Sequence, residues 1–65
     1  MNWNVIFKGD ARKPGTQEKV AELKQGFTLN RQNYYGGNEY VNNEEKRILV
    51  RYTGHDEKIE VLELM

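Results

Sequence analysis

The feature that most limits what this chain can fold into is the alternation of residues 46–65. In Lys46-Arg47-Ile48-Leu49-Val50-Arg51-Tyr52-Thr53, Ile48, Val50 and Tyr52 fall on one side at period two, and Arg47, Leu49, Arg51 and Thr53 on the other. That is the pattern of a strand, whose successive side chains point to opposite faces. Thr53-Gly54-His55-Asp56-Glu57 supplies turn chemistry, and Lys58-Ile59-Glu60-Val61-Leu62-Glu63-Leu64-Met65 returns as a second strand.

Side-chain matching sets the register of this hairpin, because a slip of one residue sends every side chain to the wrong face. Pairing Tyr52 with Ile59 places Val50 opposite Val61, Arg51 opposite Glu60, Leu49 opposite Leu62 and Thr53 opposite Lys58. One face then carries Tyr52, Ile59, Val50 and Val61. The other carries the Arg51/Glu60 pair together with Leu49, Leu62 and Leu64, and is only half polar.

Asn2 to Lys8 reads as a further strand, with Trp3, Val5 and Phe7 on one face and Ile6 an apolar exception on the other. Gly9-Asp10-Ala11-Arg12-Lys13-Pro14-Gly15 ends it in an exposed basic loop. Thr16 is a credible N-cap, and Val20, Leu23 and Phe27 recur at helical spacing before Gly26, which suits the left-handed position that stops a helix. A helix this short needs a sheet face to pack on, and the face with Trp3, Val5, Phe7, Val50 and Tyr52 is the expected one. Residues 28–43 are rich in Asn and Tyr. Gly36-Gly37 is expected to turn a tight hairpin between residues 32–35 and 38–41, with Glu39 and Val41 on one face and Tyr40 on the other.

These elements make a small single α+β domain over residues 1–65, of β-α-β-β-β order, with a mostly antiparallel sheet and one short helix packed on one face. A chain of 65 residues buries only about 60 % of its unfolded surface. With no cysteine and one histidine it has neither a disulfide nor the usual metal clip to add stability, so oligomerisation, most simply a homodimer, is expected. The half-apolar face, with Ile6, Leu49, Leu62 and Leu64, is the expected dimer or partner surface.

Chemistry is sparse. Ten Lys plus Arg balance ten Asp plus Glu, so no global field draws in nucleic acid or an anionic membrane. There is no serine, no cysteine, no glycine-rich phosphate loop and one histidine, His55, in an expected turn. An enzyme, a cofactor and a bound metal are therefore not expected. No apolar run approaches a transmembrane length, and Met1-Asn2-Trp3-Asn4 has none of the regions of a signal peptide, so a cytoplasmic location is expected.

What remains is a non-enzymatic interaction protein that docks on another protein and modulates or inhibits it; size and the lack of catalytic groups would suit a phage or mobile-element accessory factor. The alternative is single-stranded nucleic-acid or nucleotide binding through residues 31–40. Arg31, Tyr34, Tyr35 and Tyr40, with Arg47 and Arg51, could combine cationic and stacking contacts.

Overall fold

A computed structural model describes residues 2–54 and 57–65. In chain order it holds β1 (Trp3–Asp10), α1 (Pro14–Leu23), β2 (Thr28–Tyr34), β3 (Gly37–Val41), β4 (Arg47–Thr53) and β5 (Lys58–Leu64). All five strands join one antiparallel sheet of order β1-β5-β4-β3-β2. The α+β class, the antiparallel sheet and the single helix are those the sequence leads one to expect. Residues 28–43 contribute a full hairpin to the sheet.

The β4–β5 hairpin is the centre of the sheet, and its register is the expected one from Leu49↔Leu62 through Thr53↔Lys58. Alternation alone could set this register because both faces of these strands are buried, so a one-residue slip would put Arg51 and Glu60 under the helix. His55, expected in the connecting turn, lies outside the described residues. α1 packs Val20 onto Ile48, Val50, Ile59 and Val61, with Phe7, Leu23, Phe27 and Tyr40 around them.

Four local features differ from the expectation, each for a physical reason. The helix begins at Pro14 rather than after Thr16: Lys13 is its N-cap, and proline suits the first turn, where its missing N–H would have no partner and its φ is already helical. Thr16 is buried instead and lies against Gly9, where a Cβ would come within 3.1 Å of its Oγ1. The β2–β3 turn is Tyr35-Gly36, both at positive φ, with Tyr34 paired to Gly37. Gly37 pairs in the strand with Tyr34 and Arg51, and glycine is required there because a Cβ would meet the Val50 carbonyl oxygen and lie 2.6 Å from the Arg51 Cα. Lastly, the register of β1 against β5 shifts between Val5 and Phe7.

That bulge has the largest consequence. Phe7 pairs with Val61 on the helix side, whereas Val5 pairs with Leu62 and Trp3 with Leu64, so Trp3 and Val5 belong to the opposite face. Ile6 moves the other way. It lines a cavity at the C-terminal end of α1 with Leu23, Phe27 and Ile48. The run Val5-Ile6-Phe7, three apolar residues without alternation, marks the place in the sequence where period two fails.

Candidate functional site: the sheet face opposite the helix

Across the sheet, Glu39 pairs with Leu49, Leu49 with Leu62 and Leu62 with Val5, so these four side chains form one row on the face away from α1. Beside it, Gly37, Arg51, Glu60 and Lys8 form a second row. A groove of about 380 Å³ runs over the face, lined by Trp3, Val5, Tyr35, Leu49, Arg51 and Leu62.

Leu49 and Leu62, expected as exposed contacts, are instead the floor of this groove and are 1 % and 5 % exposed within the single chain. Trp3 and Val5, moved here by the bulge, and Tyr35, swung in by the tight turn, flank them. Apolar surface still open to solvent on this side belongs to Val5 and to Tyr35, which is 65 % exposed. Leu64 is half-buried at the end of β5 opposite Trp3. Ile6 is not on this face, for the reason given above.

The polar groups are layered. Glu39 is 1 % exposed, and its Oε1 accepts a hydrogen bond from Asn30 Nδ2 at 2.7 Å and lies 3.8 Å from Arg31 Nε. Glu60 is also buried, with its Oε2 3.5 Å from a terminal nitrogen of Arg51. The Arg51 Nε has no hydrogen-bond partner although it is buried. Asn30 reaches Glu39 because the β2–β3 register shifts between Leu29 and Arg31, leaving Asn30 as the extra residue. A second shift between Arg31 and Tyr34 brackets Asn33, whose φ is 53°.

The Tyr/Arg constellation is divided by the fold. Arg31 sits over the Tyr34 ring at 4.9 Å, and Tyr34 meets Tyr35 edge to face at 4.5 Å between centroids. Tyr40 points to the other side, where Lys24 of the turn after α1 stands 5.1 Å from its ring. Arg47 and Arg51 share the groove face with Arg31, two and two residues either side of Leu49 in the case of β4. So Arg31, Tyr34, Tyr35 and Arg51 come together around Gly37 and Glu39, Arg47 lies on the same face but at its far end beside Val41, and Tyr40 is on the other face.

Glu39, Trp3 and Val5 are the site residues that sequence reasoning missed. A bulge hid the last two. For Glu39 the available signal was weak: a carboxylate between Asn38 and Tyr40 in an Asn-rich strand looks solvated until Asn30 and Arg31 are seen beside it.

Among the described residues no group of three or more His, Cys, Asp or Glu is placed to hold a metal ion. No described helix is long and apolar enough to cross a membrane. Comparison with family models, with curated proteins and with solved structures finds no match for this chain.

Proposed function

We propose that this chain is a non-enzymatic docking domain that binds another protein through the groove on the sheet face opposite α1, and modulates that partner by occupying it. The observation that carries this reading is the groove itself. Its floor of Leu49 and Leu62 is buried, its walls of Trp3, Val5 and Tyr35 are aromatic or aliphatic, and a guanidinium, that of Arg51, stands at its side. Tyr, Trp and Arg around a preformed apolar depression are the residue types that anchor protein interfaces. A second copy of the chain is one such partner, and an accessory factor of phage or mobile-element type is one setting in which a small docking domain inhibits its target.

The test is site-restricted photocrosslinking. A photoreactive amino acid at position 35, in the groove wall, should form a protein adduct in host extract, while the same residue at position 18, on the exposed helix side, should not. Light scattering of the purified chain shows whether a second copy takes part. Adducts formed equally from both positions, or from position 18 alone, would overturn the assignment of this face.

A second reading, single-stranded nucleic-acid binding, is favoured by one observation: Arg31, over the Tyr34 ring, and Tyr35, edge to face with it, cluster at the groove wall. Adducts from position 35 that nuclease removes would replace the first reading by this one.

A further inference from the structure

Resting on the docking reading above, we infer that the groove takes an acidic peptide segment carrying one apolar anchor residue, with carboxylates on either side of that anchor. The basis is an asymmetry that the neutral composition conceals. The chain carries ten cationic and ten acidic residues, but on the groove face the two are sorted by depth. Lys8, Arg31, Arg47 and Lys58 are exposed there and Arg51 is half-buried, whereas Glu39 and Glu60 are buried beneath them. Asp10, paired with Lys58 at the edge, is half-buried and accepts a hydrogen bond from the Arg12 N–H. What a partner meets on this face is therefore a cationic rim around an apolar depression.

The cations lie at both ends of the groove. Arg47 stands two residues before Leu49 on β4, where it also borders the cavity at the C-terminal end of α1, while at the other end Lys8 lies opposite Glu60 and Lys58 one row further on. Arg51, between them, engages Glu60 through one terminal nitrogen and leaves its Nε without a partner. An anchor side chain over Leu49 and Leu62, between Trp3 and Tyr35, would thus have cationic groups on both flanks, and complementary charges on a rim select the partner and speed its arrival more than they add affinity.

The same surface is less suited to a polynucleotide. Tyr34 and Tyr35 meet edge to face and do not offer two parallel platforms, Arg31 is held between Glu39 and the Tyr34 ring, and the groove floor is aliphatic. A chain of zero net charge also lacks the long-range field that draws polyanions.

The experiment is selection of a random displayed-peptide library on the whole chain, followed by titration of the recovered peptides with emission of Trp3, the single tryptophan, as the reporter of groove occupancy. The result expected is convergence on peptides with two or more Asp or Glu flanking one Leu, Phe, Trp or Tyr, which shift Trp3 emission. Arg47→Glu should weaken them about three- to fivefold, as for an exposed charge pair, with the effect shrinking as salt rises. Val5→Glu should weaken them about tenfold, by placing a carboxylate in the wall. Thermal melting of both variants confirms that they fold.

Convergence on neutral or basic peptides that still shift Trp3 would overturn the acidic partner and leave the docking groove standing. Recovery of no groove-directed peptide would overturn both, and a Trp3 shift with oligo-dT in that case would transfer the site to nucleic acid.

Discussion

The two faces of the sheet bury similar side chains by different means. On one, Val50, Ile59 and Val61 are covered by a separate element, α1, whose Val20, Leu23 and following Phe27 lie over them. On the other, Leu49 and Leu62 reach the same low exposure with no helix above them. Their cover comes from the sheet's own periphery: a bulged first strand that brings Trp3 and Val5 across, and a tight turn that brings Tyr35. The helix covers the centre of its face and leaves a cavity only at its C-terminal end, beside Ile6 and Ile48, whereas cover from edge side chains leaves a groove directly over Leu49 and Leu62. A domain of this size with one helix can cover the centre of one face of a sheet and not that of the other, and the face without a helix is where docking is proposed.

The sharpest way to break this arrangement is Gly37→Ala. A methyl group there would collide with the Val50 carbonyl and the Arg51 backbone, forcing β3 away from β4 and taking the Tyr35 turn and Glu39 with it. A loss of about 3 kcal/mol or more is expected, or failure to fold, in urea or thermal unfolding. A variant that melts like the parent would show that β3 does not approach β4 so closely.

Truncation compares the faces directly. Ile59→Ala, under the helix, is expected to cost about 3 kcal/mol, and Leu49→Ala, on the groove floor, about 2 kcal/mol, because water can enter the space left beside an open groove. Both residues are almost fully buried. Equal losses would mean that edge side chains cover as well as a helix does. A negligible loss at Leu49 would mean that the groove face is open to solvent.

Glu39→Gln probes the polar layer with a smaller effect. Asn30 keeps an acceptor, and the attraction lost is to Arg31, whose side chain is 54 % exposed and therefore screened. A destabilisation of about 1 kcal/mol or less is expected, shrinking as salt rises. A loss several times larger would show that the carboxylate organises the β2–β3 hairpin through its charge.

The smallest effect expected is at the rim. Asp10 is held below the ordinary value of 3.8 chiefly by the hydrogen bond from the Arg12 N–H, which outweighs the opposing effect of burial, and then by the nearby charges of Lys58, Arg12 and Lys13. Because the folded carboxyl is the stronger acid, its contribution is complete above its unfolded value and is lost as pH falls through the lower folded one. Asp10→Asn should therefore lower stability slightly near neutrality, with the difference from the parent shrinking as pH falls below about 4. A difference that persists undiminished in acid, or that appears only there, would contradict this origin.

How far the fold was legible depended on how many constraints acted on each strand. In β4 and β5, alternation, turn residues and opposed charges all agreed, so their pairing could be read residue by residue. In β1 the period was broken by Val5-Ile6-Phe7, and only the partner strand shows that the break is a bulge, which exchanges Ile6 for Trp3 and Val5 on the groove face. In β2 two register shifts leave Asn30 free to reach Glu39, and no local pattern of Asn and Tyr announces that. The proposed site is legible in the same uneven way: Leu49 and Leu62 read as the partner surface and form the groove floor, while Arg31, Tyr34, Tyr35, Arg47 and Arg51 read as contacts of the nucleic-acid alternative.

The sequence by itself determined the class of the domain, the central hairpin with its register, the single helix and the absence of cysteine chemistry, because each follows from short-range periodicity or residue inventory. Tertiary structure alone decided which residues share a face across a bulge, where the glycine in a Gly-Gly pair belongs, and how a neutral set of charges is sorted by depth. Those outcomes depend on distances between strands far apart in the chain, and a backbone contact such as that of Gly37 with Val50 has no signature in either segment taken alone.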